Sequence, residues 1–196
     1  WTINRAIVDA SGFGWDYSTP FTYSGEEFVV TYLTPNAEGI VTVTYVGDYK
    51  ATNAGVYTAV VNLSYNLLNS ELINLPDNLE LTWVIEKQTI AANNFGWDYV
   101  SAFDYDGQEH EVKYTTGTDL VAVTYTANSV TKAVNAGTYT AEAVISYDKA
   151  NYELVGLANN LQLTWTINKV VVDASTFAWD YTSAFDYDGQ EHEVKY

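Results

Sequence analysis

Two histidines, His110 and His192, are the side chains in this 196-residue chain whose ordinary pKa suits a general base near neutral pH. Counting back from His110 by the interval that separates the two lands on Phe28, on the strand face it would share with Val30 and Tyr32. A position that accepts Phe is a packing position, so the expectation is a half-buried imidazole rather than a proton-transfer group. Asp104, Asp106 and Glu109 could together offer oxygen ligands to calcium, a hard cation that takes six to eight of them. The same interval back, Thr22 and Ser24 stand where the two aspartates do, and no twelve-residue calcium-loop pattern surrounds them. These three are weak calcium candidates, and a solvated acidic hairpin is the simpler reading. Asp16, Asp98 and Asp180 also recur, each after a tryptophan. Glycoside hydrolysis needs a cleft that raises the pKa of one carboxyl and not of the other. Here the carboxylates are spread along solvent-facing alternations, so no catalytic residue, cofactor site or metal is assigned, and the chain is not expected to be an enzyme.

Two further chemistries involve the lysines and the aromatic side chains. Lys87 and Lys169 lie close to strand ends and raise the question of an intramolecular Lys–Asn isopeptide bond, which needs a buried acid beside it. Seventeen tyrosines and six tryptophans could stack on sugar rings. Trp83 and Trp165 fall on a Leu-rich strand face and read as core; the tyrosines of the opposite faces, and the strand edges, are open to a host or matrix glycan or protein partner.

The elements that must position these residues announce themselves by repetition. Trp1, Trp83 and Trp165 form one series and Trp15, Trp97 and Trp179 another, and the step between successive members is the same throughout both. Phe13 to Tyr17 recurs at Phe95 to Tyr99 and, with Ala178 for Gly, at Phe177 to Tyr181. Asp98 to Tyr114 matches Asp180 to Tyr196 except for Val100 against Thr182. The reading is residues 1–4 as the last strand of a preceding repeat, 5–87 as repeat 1, 88–169 as repeat 2, and 170–196 as a partial third. Because it begins at Trp1, the chain is expected to be an excerpt or a processed product.

Composition agrees on an all-β class. Tyr, Trp, Phe, Val and Thr are abundant, Met and Cys are absent and Pro occurs three times. Leu161, Leu163, Trp165 and Ile167 alternate with Gln162, Thr164, Thr166 and Asn168, the period of a strand with one buried face. Leu79 to Glu86 reads the same way. Further strands are expected at Gln108 to Thr115, Leu120 to Thr126 and Thr138 to Ser146, with weaker ones around Ile90, Ala102 to Tyr105 and Tyr152 to Val155. Asp106-Gly107, Thr116 to Asp119 and Asn135-Ala136-Gly137 supply turn residues that tolerate positive φ. About seven short strands in ~80 residues is the pattern of an immunoglobulin-like sandwich. In it the tryptophans Trp15, Trp83, Trp97 and Trp165 are structural core, and Gly55 and Gly137 permit the turn before a central strand.

The formal charge of −17 repels nucleic acid and anionic lipid, which removes both as partners. It also opposes edge-to-edge pairing of strands. No apolar run reaches the ~18 residues of a membrane helix, so membrane insertion is not expected of this segment. Thr166-Ile167-Asn168-Lys169 runs into Val170-Val171-Val172 without the Gly, Ser or Pro of a flexible linker. Neighbouring repeats of the same protein are therefore the first expected partners, with other copies of the chain a second set.

Tyr105-Asp106-Gly107 with Glu109, Val123-Thr124-Tyr125, Asn135 to Ala141, Asn151-Tyr152 and Leu163 to Ile167 together carry a resemblance. The chain resembles the MBG-type bacterial immunoglobulin-like repeats found in tandem in large surface and adhesin-like proteins. Repeat 1 departs from the pattern at Ser24 to Glu27 and has Asn69-Ser70 for the Asn-Tyr pair. The resemblance implies an exported, cell-surface location, end-to-end sandwich domains and a spacer or adhesive role, with no catalytic residues to carry over. The functional expectation is a structural stalk. The alternatives are a self-assembling extracellular fibre or sheath subunit, joined by strand pairing of the partial third repeat, and a carbohydrate- or protein-binding adhesive module.

Overall fold

The computed structural model describes residues 1–196 and contains strands and no helix. The β-rich composition has its local outcome in twenty strands that fall into two sets of ten. The first set is β1 (Ala6–Asp9), β2 (Gly14–Trp15), β3 (Phe21–Thr22), β4 (Phe28–Val29), β5 (Tyr32–Leu33), β6 (Val41–Gly47), β7 (Lys50–Ala51), β8 (Gly55–Tyr65), β9 (Ser70–Ile73) and β10 (Glu80–Glu86). The second is β11 (Gln88–Ala91), β12 (Gly96–Trp97), β13 (Phe103–Asp104), β14 (His110–Glu111), β15 (Tyr114–Thr115), β16 (Val121–Tyr125), β17 (Lys132–Ala133), β18 (Gly137–Tyr147), β19 (Tyr152–Val155) and β20 (Gln162–Asn168).

Both sets have the same pairing. A four-stranded sheet runs β3-β10-β8-β6 in the first set and β13-β20-β18-β16 in the second. Three two-stranded ribbons, β1-β9, β2-β5 and β4-β7, accompany the first sheet, and β11-β19, β12-β15 and β14-β17 the second. The long strands pair antiparallel, with Trp83 opposite Tyr57 and Trp165 opposite Tyr139. β1-β9, β3-β10, β11-β19 and β13-β20 are parallel. In the first set the four-stranded sheet supplies Ala59, Val61, Trp83 and Ile85 to the interior, while Val8, Tyr32, Val30 and Phe28 meet them from the ribbons and their flanks. This is a sandwich-like all-β arrangement. Its core has two pockets of side chains bridged by Trp15, with Trp97 doing the same in the second set. No core cluster mixes residues of the two sets.

Three sequence expectations change. The strand expected over Gln108 to Thr115 is two, β14 and β15, because the segment switches partner halfway, from β17 to β12, with fully buried Val112 at the crossing. Ten strands replace about seven, since a two-residue pairing is too short to show a period. Gly107 and Gly117 do have φ of 78° and 64°, but Gly55 and Gly137 are not in the left-handed region. The constraint there is space: a Cβ on Gly55 would stand 3.1 Å from the Tyr57 hydroxyl, and one on Gly137 would stand 3.3 Å from that of Tyr139. Each tyrosine folds back over its glycine to donate a 2.6 Å hydrogen bond to the carbonyl of Asn53 or Asn135.

Residues 170–196 form no strand and are exposed throughout. They nonetheless hold short-range geometry of the second set. Phe185 stacks on His192 at 4.4 Å, and the Asp180 N–H donates to the Lys195 carbonyl at 2.8 Å.

Candidate functional site at the junction

The residues singled out for chemistry are dispersed by the fold. Asp104 accepts a 3.1 Å hydrogen bond from the Asn168 amide. Asp106 accepts from the Gln108 N–H at 2.8 Å and contacts His110 Nε2 at 3.1 Å. Glu109 pairs with Lys132 at 3.2 Å. The bond from the Gln108 N–H is the main reason the Asp106 carboxyl is held below its ordinary pKa, and the hydrogen bond to Glu109 is the main reason Lys132 is held above its own. Each carboxylate thus has its own partner. No group of three or more His, Cys, Asp or Glu side chains is placed to hold a metal ion.

His110 stacks on Phe103 with ring centroids 4.6 Å apart and planes at 19°; Phe28 stacks on Phe21 at 4.6 Å and 21°. The imidazole therefore occupies a phenyl site, with its Nε2 edge turned to Asp106. Trp83 and Trp165 are fully buried and donate through Nε1 to the carbonyls of Asp48 (2.6 Å) and Val130 (2.8 Å). Trp15 and Trp97 are half-buried and donate to the carbonyls of Asn78 and Asn160.

Sequence reasoning missed those two asparagines. Asn78 accepts from the Tyr32 hydroxyl at 2.8 Å and donates to the Phe13 carbonyl at 3.1 Å; Asn160 bonds Tyr114 and Phe95 in the same way. Burial raises the pKa of both tyrosines. The signal that could have found them is the recurrence of Asn-Leu one repeat apart, at Asn78-Leu79 and Asn160-Leu161.

The contacts that join the two sets are the arrangement with the most specific chemistry. Only Lys87 separates β10 from β11. The Asp148-Lys149-Ala150-Asn151-Tyr152 corner that enters β19 lies against the first set. Asn151, 6 % exposed, accepts from the Ala54 N–H at 2.8 Å through Oδ1. Its Nδ2 donates to Asn53 Oδ1 at 3.2 Å and to Asp148 Oδ2 at 2.7 Å. Lys87 Nζ donates to the Lys149 carbonyl at 2.5 Å, and Tyr152 meets Tyr23 edge to face at 5.3 Å. The bond from Asn151 is the main cause of a lowered Asp148 pKa. Lys87 is exposed, so it lacks the buried surroundings an isopeptide bond requires.

No protein-family model, curated protein or solved structure matches the chain.

What this junction can do chemically is hold: it supplies directional amide bonds and one aromatic contact, with a cation on a carbonyl. Asn151 satisfies a backbone N–H that would otherwise face the gap.

Proposed function

We propose that the chain is a stretch of the stalk of an exported bacterial surface protein, in which immunoglobulin-like sandwich units of the MBG type follow one another end to end and act as a spacer. The observation that carries this reading is the joint itself. A single residue, Lys87, lies between the last strand of one set and the first strand of the next, and Asn151 ties the second set to Asn53 and Ala54 of the first. Successive units held by nearest-neighbour contacts make a stiff, quasi-one-dimensional array, which keeps whatever it bears at a distance from its anchor. The motif resemblance supports the location at the cell surface, and the acidic surface supports solubility of so strand-rich a chain.

A second reading, a self-assembling fibre subunit, is favoured by residues 170–196, where Phe177, Trp179 and Phe185 are each more than half exposed. In that reading a strand from another copy covers them. Small-angle scattering with negative-stain microscopy over a concentration series separates the two. Concentration-independent monomeric rods of roughly 70–100 Å, the length of two stacked sandwiches, are expected of the spacer. Regular filaments would overturn it in favour of the fibre.

A further inference from the structure

The face that receives the Asp148–Tyr152 corner is built from Tyr23, Asn53, Ala54 and Lys87. Moving one repeat along the chain leads to Tyr105, Asn135, Ala136 and Lys169, all four residue types unchanged. These four line one open cleft of about 410 Å³ in the second set, together with Val170 and Val172. The backbone that positions them is also the same: Tyr139 bonds the Asn135 carbonyl as Tyr57 bonds that of Asn53, at 2.6 Å in each case. In the first set the Ala54 N–H is capped by Asn151. The equivalent Ala136 N–H has no partner, and Tyr105 is 41 % exposed where Tyr23 lies against Tyr152.

We propose that the cleft formed by Tyr105, Asn135, Ala136 and Lys169 is a docking site for an Asp-Lys-Ala-Asn-Tyr corner on a further unit of this repeat. The asparagine of that corner accepts from the Ala136 N–H and donates to Asn135 Oδ1. Its tyrosine packs edge to face on Tyr105, and Lys169 donates to the backbone carbonyl of its lysine. The acidic residue orients the asparagine, as Asp148 orients Asn151. Recognition is directional, because the first set carries a different corner. There Asn66, Asn69 and Ser70 occupy the places of Asp148, Asn151 and Tyr152, so the orienting carboxylate and the aromatic contact are both missing. This inference rests on the reading of the chain as part of an array, and it adds the residues that specify how one unit takes the next.

Amide hydrogen exchange tests it. In the 1–196 chain the Ala54 N–H is expected to exchange on the order of tenfold or more slowly than that of Ala136, and Asn151→Ala is expected to remove the difference. Continuing the chain past Tyr196 with a second copy of residues 115–169 completes a third unit that carries the corner. Ala136 is then expected to become as protected as Ala54, and Asn151→Ala in the appended copy to abolish that protection. A third unit whose own core amides are protected while Ala136 stays fast overturns the proposal and leaves the array reading standing, as a flexible string. Ala54 remaining slow in Asn151→Ala overturns it as well.

Should the appended unit not fold, the acidic, asparagine and tyrosine side chains of the corner can be presented in trans on the intact chain by Asn66→Asp with Ser70→Tyr, where Asn69 is already in place and Leu67 supplies the backbone carbonyl. Sedimentation is expected to show head-to-tail association of that variant, removed by Ala136→Pro, which deletes the donor. A variant that stays monomeric, or an unaltered chain that associates equally well through Asn66–Ser70, overturns the stated recognition. Filaments of the unaltered chain formed independently of Ala136 would count against the array reading instead.

Discussion

His110 lies on Phe103 almost as Phe28 lies on Phe21, with one centroid distance and nearly the same tilt. His110→Phe is therefore expected to leave stability within about 1 kcal/mol, the range of volume-conserving swaps, as read from urea unfolding followed by tryptophan fluorescence. A larger loss would mean that the Asp106 contact matters more than the stack. Trp165 is different in kind: its ring is fully buried and its Nε1 is bonded to Val130. Trp165→Ala is expected to cost about 3–5 kcal/mol, as large core truncations do. At Gly55 an added methyl meets the Tyr57 hydroxyl at 3.1 Å. Gly55→Ala is expected to displace that ring and cost about 1 kcal/mol through the lost bond to the Asn53 carbonyl. Tyr57→Phe in the same background removes the hydroxyl but leaves Cζ at 3.2 Å from the added methyl, so it should recover little stability, which calorimetry can read.

At the scale of the element, the corner before β19 is where chemistry and architecture meet. The Asp148 carboxyl is exposed and takes a 2.7 Å hydrogen bond from Asn151. Its folded-state pKa is lowered from 3.8, chiefly by that bond. A lowered carboxyl pKa contributes stability that is fully present above the unfolded value and is lost as pH falls through the folded one. The joint is thus expected to be unchanged from neutral pH down to the ordinary carboxylate range and to loosen only below 3.8. The side-chain amide resonances of Asn151, followed by NMR against pH, should titrate with a midpoint below that value. A midpoint at or above it would deny the bond. The same scale explains why one expected strand became two: Gln108 to Thr115 pairs with β17 and then with β12, a change of partner that local alternation does not encode.

At the scale of the whole molecule, each strand set has its own core, and no cluster crosses between them. Trp165→Ala is accordingly expected to lower the unfolding midpoint of residues 88–169 and to leave that of 5–87 in place, as residue-resolved hydrogen exchange would show. Loss of both together would indicate that the joint couples the two sets strongly enough to make them one cooperative unit. The contacts that could carry such coupling include the polar bonds of Asn151 and Lys87 and the Tyr23–Tyr152 aromatic pair.

The all-β character, the regular repeat and the burial of Trp83 and Trp165 could be read from residue order, because alternation along a strand and recurrence along the chain are both one-dimensional signals. The packing role of His110 was legible for a related reason: the repeat itself supplies Phe28 as a natural substitution. Tertiary structure alone decided the remainder. The neighbours of Asn151 and Asn160 in sequence mark a motif but not a bonding role, since the groups they cap lie 97 and 65 residues away. The glycines at 55 and 137 were recognisable as constrained, yet the constraint is a tyrosine ring two residues on rather than a positive φ. Residue order determines which side chains face inward along a strand; which distant backbone a side chain caps depends on how strands from opposite ends of a unit, and from neighbouring units, come to lie side by side.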